Sequence, residues 1–362
     1  MNIVVILLVF LLLTGLYALL LGRAAFPRLR LSRSFSRAAA FAGEEIEMVE
    51  TVDNASLLPF AFLQLECRIP SALRFRSAAE EEAGEDRYHQ SLFMLAPRRR
   101  VIRHYRLTLA QRGIYQINTA TLTAGDLCGL YHRTRELTLP ARVVVWPRPC
   151  GELPLPLSRL IGQWAALRAL SPDPFLYRGL RPYRPGDPLR DVHWPASARS
   201  GEMQVMVRET TASARLLILI NGQAGPRQWQ HYSIDEAETV ERLISLAASA
   251  CCHALKAGLP VGFAVNMADE SGQSALLWPD TCGMDEERLL TGLAAIRMKQ
   301  TYSLHRFVEL LSGDAALGGW VETDVLLLTA YENEETAQVM DTLRALCRSA
   351  SLYCTGEGGL AA

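Results

Sequence analysis

Residues 178–208 read RGLRPYRPGDPLRDVHWPASARSGEMQVMVR and hold the densest set of groups in the chain that could do chemistry. Arg178, Arg181, Arg184, Arg190 and Arg199 are set against only Asp187, Asp191 and Glu202. A guanidinium presents a planar fork of donors that takes a carboxylate or phosphate through two bonds at once. Pro185-Gly186-Asp187-Pro188 reads as a turn, because proline presets its backbone angle and glycine accepts positive φ. Two readings follow. Asp187 and Asp191 pair with Arg190 and Arg199 to lock the loop onto the sheet, or the arginines receive an acidic group while Trp194 supplies a large apolar anchor. A hydrolase site built on His193 and Asp191, with Ser197 and Ser200 nearby, is the alternative from another class. Triads are recognised by geometry and not by nearness in sequence, and the chain carries no G-x-S-x-G, H-E-x-x-H or G-x-x-x-x-G-K-[ST] string, so the expectation is a non-enzyme.

Two bodies of different character must position this segment. Over 32–150, short alternating stretches at 46–52, 60–69, 101–109, 114–122 and 143–146 predict strands, with an exposed hairpin loop at 80–87. Short strands without long helices predict a β-sandwich-like module. A connector and the arginine-rich segment fill 151–210. Over 211–362, strands at 215–220, 259–267 and 324–329 alternate with helices at 234–256, 285–299, 304–311 and 334–350. Continuous apolar strands between helices predict a mostly parallel α/β sheet covered on both faces. Its carboxyl-end loops, 221–226 and 329–335, should meet where open α/β sheets take their ligands.

Residues 3–22 carry no charge and match the roughly 20 residues a helix needs to cross a bilayer. Only Met1 and Asn2 precede them and no small-residue cleavage site follows, so residues 1–23 read as an uncleaved transmembrane anchor. Arg23, Arg28, Arg30, Arg33 and Arg37 all precede the first acid, Glu44, which by the positive-inside rule leaves the N-terminus outside and the bulk of the chain cytoplasmic. Cys67, Cys128, Cys150, Cys251, Cys252, Cys282, Cys347 and Cys354 form no C-x-x-C pair and read as buried thiols in a reducing compartment. A length of 362 residues, 21% charged and 49% hydrophobic, fits two folded domains plus attachments and excludes a disordered chain. The net charge of -1 removes any whole-protein case for nucleic-acid binding. The basic run from Arg98 to Arg103 is either the solvated end of a strand or a contact for anionic headgroups or an acidic partner.

Tyr183, Gly186, Asp187, Arg190, Trp194, Ser197, Ala198 and Arg199 together form a string that resembles the domain of unknown function 58 family. Arg112-Gly113-Ile114-Tyr115, Gly125-Asp126-Leu127-Cys128-Gly129-Leu130 and residues 143–149 resemble further stretches of that family, so the likeness covers nearly the whole chain. It implies a protein of the inner (cytoplasmic) membrane whose C-terminal half is a von Willebrand factor A-like doubly wound sheet. The implied partner is a MoxR-type AAA+ ATPase, with other membrane or envelope proteins as clients. The implied function is that of a non-catalytic adaptor or scaffold in maturing or remodelling protein complexes. Such a domain with a metal-ion-dependent adhesion site carries Asp-x-Ser-x-Ser after its first central strand, where this chain has Asn221, Gln223 and Gly225. The later Thr-Asp-Gly falls on Thr329, Ala330 and Tyr331. With the carboxylates gone, the expectation is neither metal nor cofactor, and metal-dependent adhesion remains an alternative.

Overall fold

An apolar helix, α1 (Ile3–Leu20), opens the chain, 18 residues long and thus about 27 Å at 1.5 Å per residue. The structure is a computed structural model describing residues 3–75, 81–83, 86–125, 132–170, 177–208, 215–225, 232–279, 285–314, 319–356 and 359–361. It divides into two units, 1–148 and 149–362. By length and composition α1 can cross a membrane. The exposed apolar stretch ends at Leu20, two residues earlier than expected, because a wider turn, Leu21–Ala25, enters the β unit. Leu21, Ala25 and Phe26 are buried in that unit's core. Arg133 lies 5.4 Å above the Phe26 ring and its Nη1 donates to the Gly22 carbonyl at 2.8 Å.

The first unit carries ten strands: β1 (Leu29–Phe35), β2 (Ala39–Phe41), β3 (Glu45–Asn54), β4 (Phe60–Pro70), β5 (Leu73–Phe75), β6 (Glu81–Ala83), β7 (Asp86–Leu95), β8 (Arg100–Leu109), β9 (Gly113–Gly125) and β10 (His132–Trp146). One sheet runs β1-β3-β8-β5 and the other β2-β10-β9-β4-β7-β6. All neighbours are antiparallel except the parallel β2–β10 pair. Alternate residues point inward, and Met48, Val52, Leu107 and Leu109 of one sheet share a core with Leu63, Phe93, Leu122 and Val143 of the other. The expected strand at 143–146 is the end of a 15-residue strand. Within the expected loop at 80–87, β6 pairs antiparallel with the start of β7, and residues 80, 84 and 85 lie outside the described set. Gly113 is required by a close approach, since a Cβ there would lie 2.9 Å from the Tyr115 ring, whose hydroxyl folds back onto the Gln111 and Arg112 carbonyls.

A charged pair is buried in the sandwich. Arg33 Nε and Nη2 both donate to Glu50 Oε1, at 3.0 and 2.9 Å, and both side chains are fully buried. Ser91 donates to Glu50 Oε2 and shares a hydrogen bond with the Tyr105 hydroxyl. Arg33 therefore drops out of the juxtamembrane surface charge that the sequence suggested, while Arg23, Arg28 and Arg30 remain exposed.

The second unit contains α2 (Leu155–Leu170), β11 (Tyr177–Pro182), α3 (Trp194–Ser200), β12 (Gln204–Arg208), β13 (Arg215–Ile220), α4 (Ile234–Lys256), β14 (Val261–Ala268), β15 (Ser274–Leu277), α5 (Glu286–Ala294), α6 (Leu304–Gly313), β16 (Thr323–Thr329), α7 (Glu334–Leu346), β17 (Ser349–Cys354) and β18 (Gly359–Ala361). The main sheet runs β15-β14-β13-β16-β17-β18. Its four inner strands are parallel, and β15 and β18 are antiparallel edges. β13, β14 and β16 are buried almost throughout, as strands covered on both faces must be. α4 starts at a capping box in which the Ser233 hydroxyl accepts from Glu236 N–H and the Glu236 carboxylate accepts from Ser233 N–H.

Two expected helices end early. The 285–299 helix stops at Ala294, because the chain turns back to pair with the end of β14, where Ala268 N–H donates to Lys299 and Arg297 N–H to Ala268. The 334–350 helix stops at Leu346, because Ser349–Cys354 joins the sheet beside β16. There Arg348 and Ser349 bind the buried Asp324 carboxylate, which fixes the turn into β17.

The thiols follow from this packing. Burial pushes Cys67 and Cys252 up to about 12 and Cys347 to about 11, and it pushes Cys251 higher still. Since the thiolate is the nucleophile, these four should resist iodoacetamide at pH 8 in the folded protein and react after unfolding, as read by mass spectrometry of the alkylated chain. Cys128 and Cys282 lie outside the described residues.

Candidate functional site

Two places in the second unit gather the residues singled out by the sequence. The first is a two-stranded antiparallel ribbon, β11 paired with β12, carrying the arginine-rich segment between its strands. The ribbon register sets Arg181 opposite Val205 and Pro182 opposite Gln204. From there Arg181 Nη1 and Nη2 each reach one oxygen of Asp187, both at 2.7 Å. Arg184 N–H donates to the same carboxylate at 2.8 Å, and Gly186 adopts φ +109° in the turn. The expected partners of Asp187, Arg190 and Arg199, are thus replaced by Arg181, which the antiparallel pairing brings back over the turn.

The Arg181 fork, aided by Arg184 N–H, holds the Asp187 carboxyl down at about 2. An acid depressed on folding stabilises the native state above its unfolded pKa, near 4, and loses that contribution as pH falls through the folded value. The amides of Tyr183, Arg184, Gly186 and Asp187 should therefore lose hydrogen-exchange protection between about pH 4 and pH 2, while Asp187→Asn should flatten that dependence.

α3 is tied to the ribbon by short polar contacts. His193 Nδ1 caps the helix by accepting from Ala196 N–H at 3.1 Å. Ser197 Oγ donates to the His193 carbonyl and accepts from Gln204 N–H at 2.8 Å. Gly201 closes the helix with φ +74°. His193 Nδ1 and Ser197 Oγ are thus both engaged with main-chain groups.

Trp194, which the sequence offers as a large apolar anchor beside the arginines, is 63% exposed. Leu180, Leu189 and Met203 are exposed on the same segment, 177–208, and so are Arg184, Arg190 and Arg199. A groove of about 550 Å³ is lined by Leu180, His193, Pro195, Ala196, Arg199 and Ser200. The ribbon segment therefore presents both apolar side chains and guanidinium groups to solvent.

The second place is the carboxyl end of the parallel sheet. In the strand order β14-β13-β16-β17 the chain leaves β13 toward one side and β16 toward the other, so the topological switch point lies between them. Asn221 and Thr329 meet there, with Asn221 Nδ2 donating to Thr329 Oγ1 at 3.2 Å. Thr329 Oγ1 in turn donates to the Tyr331 carbonyl at 2.9 Å. Asn221 Oδ1 accepts from Gln223 N–H and from Asn266 Nδ2, and Asn266 Oδ1 accepts from Gly222 N–H at 2.7 Å. The Tyr331 hydroxyl donates to Gln223 Oε1 at 3.2 Å, and Tyr232 donates to the Gly222 carbonyl. Burial raises the Tyr331 phenol above its ordinary value, so it stays neutral.

This crevice is a filled network of amides and hydroxyls. Asn221 and Asn266 are wholly buried, and a Cβ on Gly222 would come within 2.3 Å of Met267 Cγ. Gly225 stands beyond the network in a half-buried bend. Tyr331 is the last position of the Thr329-Ala330-Tyr331 string that the sequence placed here, whereas Asn266 and Tyr232 were not expected as members. Of those two, only Asn266 left a signal, as an amide inside the otherwise apolar run VGFAVNMA. Among the described residues no group of three or more His, Cys, Asp or Glu side chains converges as a metal site would.

Fold and sites together define an α/β protein with an apolar N-terminal helix, a two-sheet β unit, and a parallel sheet whose switch-point crevice is packed with neutral polar groups. Within it, residues 179–297 match the family model described as "Protein of unknown function DUF58", which supports that family for this chain. The match spans the ribbon, α3 and the crevice residues Asn221, Gln223 and Asn266. No curated protein matches the chain. Among solved structures, the CARDB domain of a Pyrococcus furiosus protein is 14% identical, with a TM-score of 0.21 over 34% of this chain and 97% of that one. The GH20 exo-β-N-acetylglucosaminidase of Vibrio harveyi is 11% identical, with a TM-score of 0.23 over 87% of this chain and 59% of that one. Neither likeness bears on fold or function.

Proposed function

We propose that this chain is a membrane-anchored, non-catalytic adaptor. In this reading the arginine and tryptophan ribbon on its von Willebrand factor A-like unit docks a MoxR-type AAA+ ATPase engaged in maturing or remodelling other protein complexes. One observation carries the reading: Trp194, at 63% exposure, and the exposed Leu189, Arg184, Arg190 and Arg199 all lie on the segment that joins the two strands of the ribbon, whose turn is tied by the Arg181–Asp187 pair. Tryptophan and arginine are the residue types that dominate binding energy at protein interfaces. The filled crevice supports the same reading, because its polar groups satisfy one another and leave no anionic oxygen to hold Mg²⁺.

The anchor belongs to this proposal. Leu21, Ala25 and Phe26 are core residues of the β unit, so cleavage beside them would cut into the fold. That favours a retained single span over a signal sequence, with exposed Arg23, Arg28 and Arg30 holding their side in the cytoplasm. Full-length protein immobilised in detergent should capture a purified MoxR-type ATPase in its ATP-bound state and release it with ADP. Capture that ignores the nucleotide, or substrate hydrolysis lost in a His193→Ala variant, would contradict the adaptor reading.

A further inference from the structure

The basic run Arg98-Arg99-Arg100 plays no part in the ribbon or the crevice, yet the fold places it beside the apolar helix. Tyr17, about 5 Å of helical rise before the end of α1, donates from its hydroxyl to the Pro59 carbonyl at 2.7 Å. That carbonyl closes the loop 55–59, on which Leu57 is 64% exposed. Asn54, wholly buried, staples this loop to the next: its Nδ2 donates to the Leu58 carbonyl at 2.9 Å and to the Ala96 carbonyl at 3.0 Å. Arg98 N–H donates to the Ser56 carbonyl, and Asn54 N–H to the Arg99 carbonyl. Arg98 holds φ +52°, the only non-glycine among the described residues with positive φ.

Sheet register brings further charge to the same end. Leu29 pairs with Asn54, Arg30 with Asp53 and Asp53 with Arg100, so the start of β1 lies next to both loops. Arg28, Arg30, Arg98 and Arg99 are exposed there, and the acid at this edge, Asp53, is already paired with Arg100 at 3.1 Å. An apolar tip, an interfacial tyrosine and a cluster of arginines thus surround the point where the helix emerges. Tyrosine settles at the headgroup level, and guanidinium groups bind anionic phosphates.

We infer that this end of the β unit is a membrane-docking face: Leu57 enters the interface of the leaflet that α1 leaves, and Arg98 and Arg99 bind the headgroups of anionic lipids. The inference goes beyond the adaptor reading and rests only on α1 lying in a bilayer. Leu57 is exposed, so Leu57→Trp is compatible with folding and gives a probe of depth. Full-length Leu57→Trp protein is reconstituted into vesicles of phosphatidylcholine, with or without phosphatidylglycerol, that carry brominated acyl chains. Its fluorescence is compared with that of the native sequence and of Leu12→Trp in mid-helix.

The expected result is quenching of the Leu57→Trp signal that strengthens with phosphatidylglycerol. Each arginine is worth about fivefold in partitioning to an anionic surface. Adding Arg98→Ala and Arg99→Ala should therefore lower the ratio of inserted to withdrawn loop roughly 25-fold in those vesicles. Quenching at Leu12→Trp with none at Leu57→Trp would overturn the docking face while leaving the span intact. Quenching at Leu57→Trp that ignores both phosphatidylglycerol and the alanine pair would overturn the role of the arginines. No quenching at either position would remove the membrane span, and the docking face with it.

Discussion

Glu50→Ala should destabilise the β unit by about 3–5 kcal/mol, the usual cost of removing one partner of a buried ion pair. Arg33 is fully buried and gives Nε and Nη2 to Glu50. Its Nη1 already has no partner, so the variant would leave an entire guanidinium uncompensated in the core. Ser91 would lose its carboxylate acceptor in the same step. The measurement is hydrogen exchange of β1, β3 and β8 amides in the full-length protein, whose protection should fall by about two to four orders of magnitude. Replacing both partners, Arg33→Met with Glu50→Leu, should restore most of that protection, because no charge then remains to be desolvated. If Glu50→Ala kept native protection, the pair would not be closed to water and the sandwich would be open at this end.

Asn221→Asp should cost the α/β unit about 2–3 kcal/mol at neutral pH, the penalty of a buried polar group deprived of its partner. The amide Nδ2 now donates to Thr329 Oγ1, and Thr329 spends its own proton on the Tyr331 carbonyl. A carboxylate at 221 would face the Thr329 oxygen with no proton between them. Burial would raise the pKa of the new acid above its unfolded value near 4, so the loss is full above the folded pKa and fades as pH falls through it. Thermal unfolding across pH 4 to 8 reads this directly. Added Mg²⁺ should leave the loss unchanged, since one carboxylate among amides is a poor hard-oxygen set. Restoration of the variant by Mg²⁺ would mean that the crevice retains the geometry of a cation site.

How much of this was legible in the sequence differs from element to element. The apolar helix, the α/β alternation and the meeting of Asn221 with Thr329 follow from hydrophobic runs and from chain order. Burial of Leu21 and Gly22 did not show, because a residue that enters a protein core reads the same as one that enters lipid. β7 was hidden by its own surface residues, and the helical pattern ran on to Ala350, over the first two residues of a strand that only sheet pairing reveals. Within the ribbon, composition identified Asp187 as an ion-pair partner but named the wrong arginines. Neighbours along the chain compete with residues returned by antiparallel register, and Arg181, six positions before Asp187, won. Trp194 was legible as a large apolar side chain beside the arginines, but its exposure was not, since that is a property of the surface that α3 presents.

The central claim is that the ribbon, and not the sheet crevice, is the working surface, and the most direct measurement is the affinity of three full-length proteins in nanodiscs for a purified MoxR-type ATPase held in its ATP state. Trp194→Ala should weaken binding roughly 30-fold, the effect of losing an interface hot spot, while Gln223→Ala should bind like the native chain. Native affinity in Trp194→Ala together with loss in Gln223→Ala would contradict the account.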